Sequence, residues 1–292
     1  MTEERGMRVI IDSNMMQNDG LREFLALSSA NIAVLTDYTA MESFKTNNVC
    51  AIVSSWEVLR HFPNQIICLE GTKKVGTIDP RAPGIANRMI SKTETKGIPE
   101  FIGLLDRAQA GDQSITKQLL KRSEWAQSHM NGMLAKSGDM GLSIGEFESR
   151  FTEAELARMR RQEAWRPDTG AKLYDVIDEL ARYSFNLHPA KPPFPSTKHK
   201  INHFIFRHAV AYAVYMLHLV EWGATNRKPE NVRNDSIDII LGTYATYFNG
   251  LMTRDTLADR IYFRARLILQ GGNARMPIEY VDYYGADEAS QK

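Results

Sequence analysis

Acidic residues recur where this chain leaves an apolar run. In RVIIDSNMM, residues 8–16, Asp12, Ser13 and Asn14 directly follow a short β-branched strand and precede the helical periodicity that runs from Leu21 to Leu27. Asp255 closes a second strand-like run, GLMTRD, two residues after Thr253. Glu42 follows the run Asn31 to Thr36 at the start of a helix, and Asp238 falls in the first turn of a late helix, three residues after Asp235. Each acid has a plain structural use. Asp12 and Asp255 can close turns, Thr39 and Glu42 have capping-box spacing, and Asp235 and Asp238 suit the positive end of a helix dipole. Those uses leave unexplained why acids sit at the ends of separate strands. In an open parallel sheet, the carboxyl ends of strands and the helix starts that follow them share one crevice. Carboxylates gathered there raise one another's pKa, and a hard divalent cation with oxygen ligands, Mg2+ or Mn2+, relieves the repulsion.

The elements that must position these acids are legible as pattern. Residues 7–71 alternate strand and helix: a strand at 7–12, a helix near 20–29, a strand at 31–36, helices near 39–46 and 49–61, and a strand from Gln65 to Glu70. From Gly71 the texture turns helical with no convincing strand. Thr152-Glu-Ala-Glu155 has capping-box spacing and opens a helix to about Ala164, and SGDMGLSIG at 137–145 is a glycine-rich turn. LHPAKPPFPST, at 187–197, is a proline-rich loop. INHFIFRHAVAYAVYMLHLVEWG is apolar nearly all round, the pattern of a core helix. After Asn234 the α/β texture returns: a helix at 235–248, a strand near Gly250 to Thr253, a helix at 256–270 and a last strand around Ile278 to Val281. The expected architecture is an α/β domain of residues 1–71 and 198–292, interrupted by a mostly helical insertion, 72–197, with a proline-rich exit loop.

Composition excludes several classes. With 43% hydrophobic and 24% charged residues the chain is globular rather than disordered. The longest apolar stretch, His208 to Val220, is too short to span a bilayer, and MTEERGMR carries no apolar signal region, so a cytoplasmic protein without a membrane partner is expected. Cys50 and Cys68 are too few for a usual zinc site and imply a reduced compartment without disulfides. The net charge of +1 announces no nucleic-acid ligand, so any such binding needs a local patch. Lys117, Lys121, Arg122, Arg158 and Arg161 are the candidates, although runs such as Arg158-Met-Arg160-Arg161 also fit a solvated helix face. Neither a Gly-x-x-x-x-Gly-Lys-Ser/Thr loop nor a Gly-x-Gly-x-x-Gly turn is present. A haloacid-dehalogenase-type phosphatase needs a second Asp where Asn14 stands. His188, His199, His203 and His208 cluster in sequence, at spacings that fit ordinary surface or core histidines.

In order and context, the acids resemble the PIN-domain nuclease family. That family opens with a strand ending Asp-Thr/Ser-Asn, matched by Asp12-Ser13-Asn14, and continues with a strand, a turn and a Glu, matched by Glu42. Its third acid begins the pattern Asp, three residues, a small residue, two residues, Ala, matched by Asp238, Gly242 and Ala245. Its fourth closes Thr-x-Asp, matched by Thr253-Arg254-Asp255. The resemblance covers roughly residues 7–70 and 200–282 and implies a PIN-like Rossmannoid parallel sheet flanked by helices. It also implies a Mg2+- or Mn2+-dependent endoribonuclease selective for single-stranded RNA, of the kind often paired with a protein antitoxin. Asp12, Glu42, Asp238 and Asp255 are then the catalytic acids, with Asp12, Asp238, Asp255 and either member of the Asp235/Asp238 pair as metal ligands. Asn14 and Thr253 position ligands or phosphate. The helical insertion is expected to wall the crevice. Alternatives are a non-catalytic PIN-like module that binds RNA or protein, and a DNA-directed nuclease; a homo-oligomer fits any of these.

Overall fold

Short runs of Val, Ile and Leu build the sheet. The computed structural model describes residues 6–136, 143–223 and 229–281. In it β1 (Arg8–Ile11), β2 (Ile32–Leu35), β3 (Ile66–Cys68) and β4 (Leu251–Met252) form one all-parallel sheet in the order β3-β2-β1-β4. Ile10 lies opposite Val34 on one side and Leu251 on the other, so β1 is central and all strands end at the same edge. Val9, Ile10, Ile11, Ala33 and Val34 are fully buried. A sheet covered on both faces needs unbroken apolar strands rather than alternating ones, which is the pattern in the sequence.

The covering helices follow in chain order. α1 (Asp19–Leu27) links β1 to β2, and α2 (Asp37–Ser43) and α3 (Val49–Ser55) link β2 to β3. The short α4 (Thr72–Val75) and α5 (Ile85–Arg88) lead to α6 (Lys92–Gln109) and α7 (Gln113–Lys136). Next come α8 (Ile144–Glu148), α9 (Glu153–Arg160), α10 (Pro167–Leu187), α11 (Thr197–Lys200), α12 (Phe204–Trp222), α13 (Pro229–Ala245) and, after β4, α14 (Thr256–Gly271). Two apolar cores result. The first surrounds the sheet and takes Leu105 from α6 and Leu119 and Ala126 from α7. The second gathers Phe147, Met159 and Ile177 from α8, α9 and α10 around α12, with Ile261 and Leu269 of α14. The helical stretch between β3 and α12 therefore serves both cores. α12, apolar all round, is buried on nearly every face.

Several expectations are corrected. Ile278 to Val281 forms no strand: Pro277 lacks a donor, and the segment is clipped to the approach of β4 through Tyr280 N to Asn249 O (2.8 Å) and Asn249 Nδ2 to Ile278 O (2.8 Å). The helix expected at 49–61 stops at Ser55, where Trp56 turns inward, its indole N donating to Ser43 Oγ (3.0 Å). The helix expected from 235 begins earlier, at Pro229, a residue suited to a first helical position. Of the glycine-rich turn, 137–142 lie outside the described residues; Ser143 caps α8 reciprocally with Glu146. The Thr152/Glu155 capping box forms as the spacing predicts. Among the described residues no helix is long and apolar enough to cross a membrane.

Candidate active site

β1 ends by delivering Asp12 to the carboxyl edge of the sheet. Its amide donates to Met252 O (3.0 Å), tying it to the end of β4, and a single 3-10 turn at Ser13–Met15 carries the chain away. The buried Asp12 carboxylate accepts, at Oδ2, from Asn14 Nδ2 (2.6 Å) and Thr253 Oγ1 (2.6 Å). Asn14 Oδ1 accepts from Arg254 N (3.0 Å), and Thr253 Oγ1 accepts from Asp255 N (2.9 Å). Asn14 and Thr253 thus lock the β1 and β4 exits together around Asp12. Asp255 Oδ1 caps α14, accepting from Leu257 N (2.7 Å) and Ala258 N (3.2 Å). Gly242 lets α13 approach α14, since a Cβ there would stand 3.1 Å from Ile261 Cγ2 and 3.3 Å from Tyr262 N. That approach sets Asp238 beside the start of α14.

The position of Glu42 corrects the expectation. The cap of α2 is Thr36, whose hydroxyl accepts from Thr39 N (3.1 Å), while Thr39 Oγ1 donates to Ile11 O (2.9 Å) and pins α2 to β1. Glu42 therefore lies in the last turn of α2, not at a helix start, and Ser13 Oγ donates to its Oε2. Asp235 and Asp238 likewise lie well inside α13 rather than in its first turn, so the helix dipole does not account for them.

Electrostatics separates the members of this group. Burial pushes the Asp238 carboxyl up to about 8, with further upward pressure from Asp255, Asp12, Asp235 and Glu42. Burial also raises Asp12, against the hydrogen bond from Thr253 and with the charges of Glu42 and Asp255 adding to the rise. These acids come from β1, α2, α13 and the β4 exit, and they feel one another across one crevice. Among the described residues, none of Asp12, Glu42, Asp238 and Asp255 is ion-paired to Lys, Arg or His. Asp235 is held differently: buried, it accepts from Tyr215 OH (2.8 Å) of α12. Asp37 stands apart, with Oδ2 3.2 Å from where a Cβ on Gly71 would be, and burial lifts it to about 6. It lies in the first turn of α2.

The oxygen-only donor set, the raised pKa of Asp12 and Asp238 and the lack of a cationic partner for Asp12, Glu42, Asp238 and Asp255 among the described residues fit a hard divalent ion. Among the described residues, however, no three His, Cys, Asp or Glu side chains already stand at ligating spacing, so binding a metal requires side-chain rotation. Ser13 and Tyr215 are the contributors that sequence reasoning missed. Ser13 belonged to the quoted motif without a partner, and a hydroxyl within the apolar run of α12 gives no sign of what it touches.

The candidate phosphate contacts separate into two groups. Lys117, Lys121 and Arg122 are exposed on α7, which packs against α13, α2 and α3. α7 is also clipped to the loop after Glu42 by Ser123 Oγ to Thr46 O (2.9 Å) and Gln127 Nε2 to Lys45 O (3.1 Å). Arg158 and Arg161, at the end of α9, both pair with Glu163. Trp125 is 63% exposed on α7 and stacks on His129 at 5.6 Å. Trp165 and Phe194 pack against the second core. The histidines do not join the acids: His188 meets Lys73 O, and His203 caps α12. No family model, curated protein or solved structure matches the chain.

Proposed function

We propose that the protein is a PIN-like, divalent-metal-dependent endoribonuclease that hydrolyses phosphodiester bonds in single-stranded RNA. The observation that carries this reading is the convergence of Asp12, Glu42, Asp238 and Asp255 from four separate elements onto the carboxyl edge of a parallel sheet, with the Asp238 carboxyl lifted to about 8. The α14 cap accounts for Asp255 alone, and neither a cap nor the helix dipole accounts for Glu42 or Asp238; like charges gathered at one edge of the sheet destabilise one another, and that shared cost is what a metal ion would relieve.

Asp12 and Asp238 would hold Mg2+ or Mn2+, with the free oxygen of Asp255 beside them and Glu42, oriented by Ser13, reaching through water. When bound, the ion supplies a nucleophilic water at neutral pH and stabilises charge on the leaving oxygen. Asn14 and Thr253 keep the Asp12 carboxylate aimed. Of the two acids on α13, Asp238 suits the ligand role better, because Asp235 already holds Tyr215. Lys117, Lys121 and Arg122 grip phosphates along α7, beside the crevice. A toxin or defence nuclease restrained by a protein inhibitor belongs to the same proposal.

The lack of preformed ligating spacing favours one second reading, a non-catalytic module that binds RNA or protein through the same face. Labelled single-stranded RNA and DNA, incubated with the purified chain in Mg2+, Mn2+ or chelator, separate the two. Cleavage of RNA only with metal supports the nuclease. Binding without cleavage supports the module, and preferential cleavage of DNA replaces the substrate class.

A further inference from the structure

Arg207, near the start of α12, is a buried cation without an acid. It is 2% exposed, and no Asp or Glu pairs with it among the described residues. Nε donates to Ile201 O (2.9 Å), and Nη1 donates to Thr246 O (2.6 Å) and Thr246 Oγ1 (3.2 Å). The guanidinium lies 4.0 Å from the centre of the Tyr247 ring. These contacts fix it beyond the carboxyl end of α13, whose terminal carbonyls offset part of its charge. Nη2, with two N–H donors, is left without a partner among the described residues.

Arg207 lines a cavity of about 470 Å³, together with Arg81, His199, Asn202, Tyr247 and Arg275. Arg81 and Arg275 are exposed. Asp79 holds Arg81 in a fork, Nη2 donating to Oδ2 (2.8 Å) and Nε to Oδ1 (3.0 Å) and Oδ2 (3.2 Å), while Arg275 has no ion pair among the described residues. The cavity lies toward the amino ends of the strands: Thr246 and Tyr247 precede β4, and Asn87, just beyond the lining segment, accepts from Arg8 at the start of β1. The acids occupy the opposite edge.

We propose that this cavity binds a terminal phosphate, the dianionic end of a phosphate monoester, with Arg207 beneath it and Arg275 and Arg81 at the mouth. A buried cation lacking a carboxylate is costly, and an anion from outside supplies the missing charge. The planar fork of arginine matches phosphate oxygens, and the volume suits a small ligand. An internal phosphodiester has one charge and chain on both sides, whereas a terminal phosphate brings two charges and a free end to a cation that no carboxylate among the described residues pairs with. Phosphorylated small molecules and 5′-phosphorylated nucleic acids both carry such an end. The proposal is independent of the nuclease reading.

The test is calorimetric titration of the metal-free full chain, in EDTA, with inorganic phosphate, adenosine 5′-monophosphate, adenosine, and matched DNA oligonucleotides bearing a 5′-phosphate or a 5′-hydroxyl. Phosphate and the monophosphate are expected to bind and adenosine not to. Arg275→Ala, at an exposed position, should weaken binding about tenfold or more. Asp79→Asn should tighten it by freeing Arg81 and removing a negative charge at the mouth, a gain that general damage to the fold would not produce. Binding of the 5′-phosphorylated oligonucleotide but not its 5′-hydroxyl twin supports the proposal with a nucleic-acid end as the source; binding of the monophosphate alone supports it with a small molecule. No binding of phosphate or monophosphate at about 10 mM overturns it, as does an affinity that neither variant changes.

Discussion

His203 should make the stability of this protein acid-sensitive, and substituting it should remove a defined part of that sensitivity. The ring is 2% exposed, meets Phe185 in a tilted contact at 4.5 Å between ring centres, and caps α12 by accepting from Ile205 N at Nδ1 (3.1 Å). Burial, together with the nearby His188, lowers its pKa from 6.5 to about 4, against a smaller opposing pull from Asp79. Above pH 6.5 the ring is neutral whether the chain is folded or not. Between pH 6.5 and 4 the unfolded chain binds a proton that the native ring refuses, so stability is lost as pH falls through that window. At 1.36 kcal/mol per pKa unit the loss is about 3 kcal/mol by pH 4. His208, on the next turn of α12 and also lowered to about 4 by burial, steepens the wild-type slope in the same direction. His203→Asn keeps a side-chain oxygen for the cap but cannot titrate and loses the ring contact, at a cost of about 1–2 kcal/mol. Urea unfolding of both proteins from pH 7 to pH 4 should therefore give curves that cross, with wild type more stable at pH 7 and the variant at pH 4. Parallel curves would refute the reasoning, since they require a ring that protonates in the native state as it does in the unfolded chain.

Further outcomes follow from the acidic crevice. Asp12→Asn and Asp238→Asn should keep the wild-type circular dichroism while lowering RNA cleavage about a hundredfold or more, and the double variant should lose far less than the product of the single effects. Asp255 has two roles that substitution can separate: Asp255→Asn keeps the α14 cap and loses activity, whereas Asp255→Ala also loses about 1 kcal/mol of stability by urea unfolding. Charge reversal at Lys117, Lys121 and Arg122 should weaken RNA binding and flatten its salt dependence, whereas Arg158→Glu and Arg161→Glu should change binding less because both arginines are already engaged by Glu163.

The strand-end acids were the most legible part of this chain because the signal for them is local. β1 is a short apolar run that stops at Asp12, and GLMTRD stops at Asp255, so period and position were enough to place both. Glu42 and Asp238 were recognised as acids of the same crevice but set in the wrong turn of their helices. Thr39 has the spacing of a cap, yet Thr36 takes that role because Thr39 is drawn to the carbonyl of Ile11, a contact visible only once α2 lies on β1. α13 starts upstream of the apolar periodicity that marked it, at Pro229. Arg207 was hidden for a related reason: it sits inside an apolar run, and its cavity is lined by residues such as Arg81, Ile85 and Arg275, far away in sequence. Local pattern reports which residues a strand or helix carries; it does not report which distant carbonyl or ring each one meets.

The central claim is that Asp12 ends its strand as a ligand for a catalytic divalent ion. Single-turnover cleavage of a labelled single-stranded RNA, measured across a Mn2+ titration for wild type and Asp12→Asn, tests it most directly. The wild-type rate should saturate with Mn2+ and vanish in EDTA, and the variant should be folded yet slower by about a hundredfold or more at every metal concentration. Cleavage that persists in EDTA, or a folded Asp12→Asn protein with the wild-type Mn2+ dependence, would contradict it.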